Sequence, residues 1–309
     1  MSAATPPPAL VADIGGTHAR LALARGVRLI QGSMARLEIA SFDDPLEMLA
    51  GWLDGRAVST ACLAVAGPVR GGRVRMGNRA WDLDAEALSR RLDGAPCRIV
   101  NDLAAQAMAL PYLVADALRP VLPGASPDPA EPRLVIGIGT GFNSAVALPS
   151  GTVLAAESGQ GLLPALDDAE IGMRAAIAAE TGYPRVEDAL SGQGLARLYR
   201  LSGGARRPPE AILAAALAAE PEARAALGLF ARYLGLATGD LALACLPHGG
   251  IALSGGLARA IAPLLPETEF AARFRDRGAM RAMMDSFRLQ SIEDDYSALA
   301  GCAALAALR

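Results

Sequence analysis

The 309-residue sequence contains no lysine; all 29 of its basic side chains are arginine. A Walker-type phosphate loop needs a lysine after its glycines, and Schiff-base chemistry needs a reactive amine, so both are excluded. Histidine is nearly absent, with His18 and His248 alone, which argues against a multi-histidine metal centre. The four cysteines, Cys62, Cys97, Cys245 and Cys302, are widely separated and form no C-x-x-C pair. They read as small buried hydrophobes in a reducing cytosol, not as a disulfide framework. Aromatic residues supply only 4% of a chain that is 52% apolar, so Ala and Gly must fill much of the core. That suits closely packed helices and glycine-rich loops, and it excludes disorder. A net charge of −3 gives no pull toward nucleic acid or an anionic membrane. The Arg206-Arg207 pair reads as a solvated face.

Targeting and membrane signals are also missing. The Pro-rich start at 1–8 carries no positive charge, so it does not read as a signal peptide, and no DNA-binding segment fits before Leu10. The stretch 134–156 is uncharged and long enough to raise a transmembrane query. It holds Gly137, Gly139, Gly141, Asn143 and the turn signal Pro149-Ser150-Gly151, and two buried strands joined by a turn explain it better. The expectation is a cytoplasmic protein with neither membrane nor nucleic-acid partners.

Apolar runs at 10–14, 20–24, 61–66 and 98–100 predict strands in the front third. Helical spacing marks 84–92, and a helix over 104–110 is stopped by Pro111. A loop rich in Pro, Gly and Asp at 120–132 suggests a domain boundary. Beyond it Asp167-Asp168 can cap a helix reaching Glu180, and Ser191 another ending near Leu201. Pro209 and Pro221 open two more helices, the second running toward Leu246. A strand at 251–253, another near 287–292 and an Ala-rich helix from about Tyr296 close the chain. Strand-then-helix units in both halves fit an α/β chain with two lobes.

Two glycine turns stand out. Asp13-Ile14-Gly15-Gly16-Thr17 ends one strand and turns into the next, and Gly137-Ile138-Gly139-Thr140-Gly141 echoes it. Glycines let backbone N–H groups approach phosphate oxygens with no Cβ in the way, and Thr17 adds a hydroxyl donor. Asp13 is placed to hold hydrated Mg2+ near the phosphates; a plain hairpin is the alternative. Asn101-Asp102, at a strand's end, offers a carboxylate and an amide that could grip sugar hydroxyls; taken alone, the pair reads first as a cap for the helix that follows.

Seven blocks resemble the bacterial glucokinases, of the non-ROK type, and follow that family's order. They are Val11-Ala12-Asp13-Ile14-Gly15-Gly16-Thr17, Ala64-Val65-Ala66-Gly67-Pro68, Met76-Gly77-Asn78-Arg79-Ala80-Trp81, Val100-Asn101-Asp102-Leu103, Gly139-Thr140-Gly141, the stretch 187–201 with Leu190-Ser191-Gly192-Gln193-Gly194 within it, and Ser254-Gly255-Gly256-Leu257. The resemblance implies a two-lobed actin/hexokinase-like (ribonuclease H-like) α/β fold with ATP and sugar in the inter-lobe cleft. It implies a small lobe over 1–111, completed by the C-terminal helix 296–309, and a large lobe over 112–295. It further implies O6 phosphorylation of a hexose, glucose first, with Mg2+ as cofactor and a homodimer built through the large lobe. Asp102 becomes the base. Asn101, Asp102, Glu157, Gln160 and Glu187 become the sugar contacts. Asp13, Gly15, Gly16, Thr17, Gly139, Thr140, Gly141, Gly255 and Gly256 become the nucleotide and metal contacts, Asp13 holding the metal. Trp81 and Asn78 would shape the small lobe.

Three departures qualify the match. His18 replaces the family's usual Asn. The sugar loop reads Glu157-Ser158-Gly159-Gln160, where Glu-Gly-Gly-His is usual. Phe142-Asn143-Ser144 replaces Leu-Gly-Val, and Asn143 is expected to keep the turn by tolerating a left-handed backbone. These changes leave open a kinase for another hexose, or a sugar-binding regulator without turnover.

Overall fold

The computed structural model describes residues 6–76 and 81–308, so the expected role of Asn78 lies outside the described residues. The chain divides into two compact units. The first comprises 1–113, 150–155 and 294–309, and the second 114–149 and 156–293.

The first unit is built on β1 (Ala9–Ile14), β2 (His18–Arg25), β3 (Arg28–Leu29), β4 (Ala35–Glu38), β5 (Thr60–Val65) and β8 (Cys97–Asn101), with a separate ribbon of β6 (Arg73–Arg75) and β7 (Asp82–Asp84). Its sheet runs β3-β2-β1-β5-β8, and β4 pairs with β2. Strands β1 and β2 form an antiparallel hairpin, whereas β1, β5 and β8 are parallel. One face of this sheet buries Leu10, Ala12 and Ile14 against Met48 and Leu49 of α1 (Pro45–Leu53) and Leu88 of α2 (Ala85–Arg91). The C-terminal helix (Ser297–Ala307) packs on β1, β5 and α3 (Asp102–Ala109). Trp81 is 4% exposed and donates to the Asp43 carbonyl (2.8 Å), so it fills the core of this unit.

The second unit contains β9 (Leu118–Leu122), β10 (Arg133–Ile138), β11 (Phe142–Ala147), β13 (Ile251–Ser254) and β14 (Leu289–Ile292) in the order β11-β10-β13-β14-β9. The stretch 134–156 thus holds three strands, not two, because the glycine turn at 139–141 separates β10 from β11 before β12 (Val153–Ala156) begins. The loop expected at 120–132 starts later than predicted. Pro120 lies within β9, an edge strand where a missing N–H is tolerated, and the division between units falls at 113/114.

The expected caps are in place. Asp167 caps α4 (Asp168–Thr181) with a reciprocal box to Glu170, and Ser191 caps α6 (Gly192–Leu201) by accepting from Gly194 N. Helices α5 (Val186–Ala189), α7 (Pro209–Leu217), α8 (Pro221–Cys245), α9 (Gly256–Ile261), α10 (Phe270–Arg275) and α11 (Arg281–Ser286) complete the unit. By length and composition α8 could cross a membrane, but 67% of its most apolar window is buried inside the protein. Phe230, Tyr233 and Leu234 there have no exposed surface, which is the pattern of a core helix. Glu170, fully buried, accepts from Arg232 Nε (3.0 Å) and lies 2.8 Å from Arg273 Nε, tying α4 to α8 and α10. All four cysteines are free thiols; Cys62 and Cys302 are buried, while Cys97 and Cys245 are half-buried.

Candidate active site

In the first unit three strands end level with one another. Parallel register sets Ile14 beside Val65 and Val65 beside Asn101, so the chain leaves β1, β5 and β8 at one sheet edge. Ligands of open α/β sheets bind at such carboxyl ends. The turn after β1 is closed by Gly15 N donating to the His18 carbonyl (3.0 Å), which leaves Gly16 and Thr17 exposed at its tip. Across the hairpin Asp13 opposes Arg20 in register, and Arg20 Nη1 donates to Asp13 Oδ2 (3.2 Å). Burial pushes the Asp13 carboxyl above its usual range against the opposing pull of Arg20, with a smaller upward push from Asp295. His18, the departure from the family, lies outside the turn as the first residue of β2, its ring 3.3 Å from Arg36 Nη2.

Asn101 and Asp102 divide the alternatives left open by sequence. Asn101 is the N-cap of α3: its Oδ1 accepts from Leu103 N (3.0 Å) and Ala104 N (3.3 Å), and its Nδ2 donates to the Gly67 carbonyl (3.2 Å). The same side chain hydrogen-bonds the Asp102 carboxyl. Asp102 is the first helical residue, half-buried, and accepts from its neighbour Leu103 N (2.9 Å) and from the Asn101 side chain. Among the described residues no cation pairs with it. Burial, reinforced by the charge of Asp13, pushes its carboxyl up to about 6. A carboxylate tuned toward neutral pH at a sheet edge can take a proton from a hydroxyl.

In the second unit β10 and β11 make a similar hairpin over Gly139-Thr140-Gly141, closed more tightly by Gly139 N to the Gly141 carbonyl (3.0 Å). The Gly139 carbonyl accepts from Gly192 N (2.8 Å), which seats the start of α6 against the turn. A cavity of about 370 Å³ opens there, lined by Gly139, Thr140, Gln193, Glu210, Gly256 and Leu257 among others. Gly255 has φ +105°, and a Cβ on it would lie 2.5 Å from the Ile138 carbonyl oxygen, so only glycine lets the chain pass there. Helix α9 is just six residues long, so its dipole offers a ligand little. Gln193 and Glu210 carry no site signal of their own in the sequence; Glu210 follows Pro209 in what reads locally as a helix start.

The sugar-loop candidates also gather in this unit. Glu187, on α5, accepts at Oε2 from Phe142 N (3.2 Å) and at Oε1 from Gln160 Nε2 (3.4 Å). A Cβ on Gly141 would lie 2.5 Å from that Oε2, so the glycine admits the carboxylate. Glu157 accepts at Oε2 from Asn143 Nδ2 (2.7 Å), and Asn143 Oδ1 accepts from Gly159 N (3.4 Å). Asn143 is therefore no left-handed turn residue. It sits inside β11 opposite Gly137, and its amide fastens the loop carrying Glu157. Arg185, which no motif marks, donates from Nη1 to Gln160 Oε1 (3.2 Å).

A family model described as Glucokinase matches residues 10–309. A glucokinase from Chromobacterium violaceum is 32% identical over 96% of this chain and 88% of its own length. The crystal structure of a glucokinase from an Antarctic psychrotroph is 29% identical, covers 98% of this chain and 99% of its own, and superposes with a TM-score of 0.90. A more distant structure, a ROK family glucokinase from Streptomyces griseus in complex with glucose and AMPPNP, shares the fold at 19% identity with a TM-score of 0.62, covering 97% of this chain and 99% of its own. The fold is thus the two-lobed actin/hexokinase-like one, and with a match running from the first strand to the last residue the chain belongs to the glucokinase family.

Proposed function

We propose that this chain transfers the γ-phosphoryl group of ATP to O6 of D-glucose, with Asp102 as the base. The observation that carries the role is the Asp102 carboxyl itself: half-buried, without a cation partner among the described residues, and raised to about 6. In the reaction Asp102 accepts the O6 proton as the hydroxyl oxygen attacks phosphorus. The Asn101 amide, beside Asp102, serves a neighbouring hydroxyl. Glu157, Gln160 and Glu187 hold the remaining ring hydroxyls, where charged acceptors make the stronger hydrogen bonds. The turns at Gly15-Gly16-Thr17 and Gly139-Thr140-Gly141 offer backbone N–H groups and two hydroxyls to the phosphates. The cavity lined by Gly256 and Leu257 takes the nucleoside.

Mg2+ belongs to the same proposal. It needs only one or two protein carboxylates, water and phosphate supplying the rest. Asp13 is a hard oxygen donor whose only ion-pair partner among the described residues is Arg20, with Asp295 adding to the local negative charge, and this environment suits a divalent cation. When bound, the ion would neutralise charge developing on the phosphate oxygens. A cytoplasmic homodimer, implied by the family, is proposed with it; light scattering that returns a monomer's mass would remove that part.

The test is ADP release measured by a coupled assay across glucose, mannose, fructose, glucosamine and N-acetylglucosamine. Release should require a hexose and show its highest kcat/KM with glucose. ADP release without any sugar would reassign the chain as an ATPase, and binding without release would make it a regulator.

A pH profile follows from the same carboxyl. The base must be ionised, and its folded value is raised to about 6. Accordingly log kcat/KM should climb with slope one up to about pH 6 and then level. A profile still flat at pH 5 removes Asp102 from the rate-determining proton transfer.

A further inference from the structure

Arg185, which lies outside every sequence block, stands at the centre of a polar chain. Its guanidinium is clamped by Asp188, with Nε to Oδ2 and Nη2 to Oδ1 both at 3.0 Å, and Asp188 also accepts the Arg185 backbone N–H (3.0 Å). The Asp188 side chain is 5% exposed and is braced from behind by Arg197, whose Nη1 lies 3.5 Å from Oδ1 and donates to the Asp188 carbonyl (2.5 Å). The third arm of Arg185, Nη1, reaches out of this clamp to Gln160 Oε1 (3.2 Å), and Gln160 Nε2 then donates to Glu187 Oε1 (3.4 Å). Glu187 ends the chain on Phe142 N (3.2 Å).

The chemistry of the two ends fixes what lies between them. A free glutamine amide can present either its oxygen or its NH2. A guanidinium only donates and a carboxylate only accepts, so Arg185 and Glu187 together permit one amide orientation. Gln160 therefore turns a donor toward the Glu187 carboxylate and keeps one further N–H for a ligand. It cannot offer its oxygen to a ligand while Arg185 holds it. An imidazolium, the charged form of the family's usual residue here, would set a second cation against the guanidinium.

We propose that Arg185 is a positioning residue for the sugar site: anchored by Asp188, it orients Gln160, and through Gln160 it holds Glu187 ready to accept from a sugar hydroxyl. The inference rests on the reading of Glu157, Gln160 and Glu187 as sugar contacts. It makes the Gln160 departure one half of a matched pair with Arg185, and not a weakened version of the family loop.

The test is a double-mutant cycle on the full chain, with glucose KM, ATP KM, kcat and calorimetric glucose binding read for Arg185→Met, Gln160→Leu and the double variant. Arg185→Met should raise glucose KM about tenfold, the loss expected for a charge-assisted hydrogen bond, with ATP KM and kcat within about twofold of wild type. Arg185→Lys, which keeps a donor, should recover part of the loss. In the Gln160→Leu background the Arg185→Met change should add little, because the relay is already cut. Gln160 is exposed, so Gln160→Leu remains informative even if Arg185→Met folds poorly. Fully additive effects, or an Arg185→Met enzyme with wild-type glucose KM, overturn the proposal and leave the kinase reading intact. A wild-type chain that neither binds nor phosphorylates any hexose overturns both.

Discussion

Asp102→Asn should lose roughly 10^2–10^4-fold in kcat, the contribution typical of a positioned base, while glucose KM changes little. The amide keeps the shape of the carboxylate and its acceptor for Leu103 N, and Asn101 remains to cap α3 through Leu103 N and Ala104 N. The helix should therefore form as before, and only the proton acceptor is gone.

The variant should also be the more stable protein. A carboxyl raised from 3.8 to about 6 on folding binds its proton more tightly in the native state. Its contribution to stability is greatest below the unfolded value and is lost as pH rises through about 6. At pH 7 the ionised wild-type group thus destabilises the fold by something on the order of 2–3 kcal/mol. An uncharged side chain escapes that cost. Urea melts should show Asp102→Asn more stable than wild type at pH 7.5, with the difference gone by about pH 4. A variant with near-normal turnover sinks the assignment of the base. One that is inactive and less stable at pH 7.5 would instead make Asp102 a structural residue.

The contrast between Asp102 and Arg185 shows what could be read before the fold was known. Asp102 stood out as a candidate because the residues around it keep a recognisable local order, and its place at the end of β8 and start of α3 was legible from them. Caps were legible for a similar reason: Asp167, Ser191 and the prolines at 209 and 221 act on their own helices within a few residues. Arg185 acts across 25 positions on Gln160, and nothing in the chain between them announces the pair. Pro120 misled for a related reason. It reads as a breaker until the sheet order shows β9 at an edge. Asn143 misled because its neighbours suggested a turn, whereas register with Gly137 puts it in a strand. Local rules located elements and single-residue chemistry; tertiary partners decided which side chain holds which.

Gly301→Ala is where that distinction gives its largest structural effect. On helix propensity alone the change is favourable, since Ala in a helix interior outranks Gly by about 1 kcal/mol. Gly301 is buried in the C-terminal helix, however, and a Cβ there would fall inside the van der Waals shell of the Ala105 carbonyl oxygen. The obstacle is backbone of α3, which cannot rotate away as a side chain could. The helices meet through small residues, with Ala104, Ala105, Ala298, Cys302 and Ala303 all buried, and a close-packed interior of this kind resists even small volume changes. Overpacking of this kind costs on the order of 3 kcal/mol, enough to reverse the propensity gain. Because α3 begins at Asp102, its displacement should also move the carboxylate. A misplacement of about 1 Å can cost on the order of 10^2-fold in rate. Gly228 in α8 supplies the internal control: a Cβ there meets nothing within 4 Å, so Gly228→Ala should be neutral or slightly stabilising and keep full turnover. Urea unfolding and ADP-release rates on both variants decide the matter. If Gly301→Ala behaves like Gly228→Ala in both, close contact between the C-terminal helix and α3 is not what holds Asp102 in place.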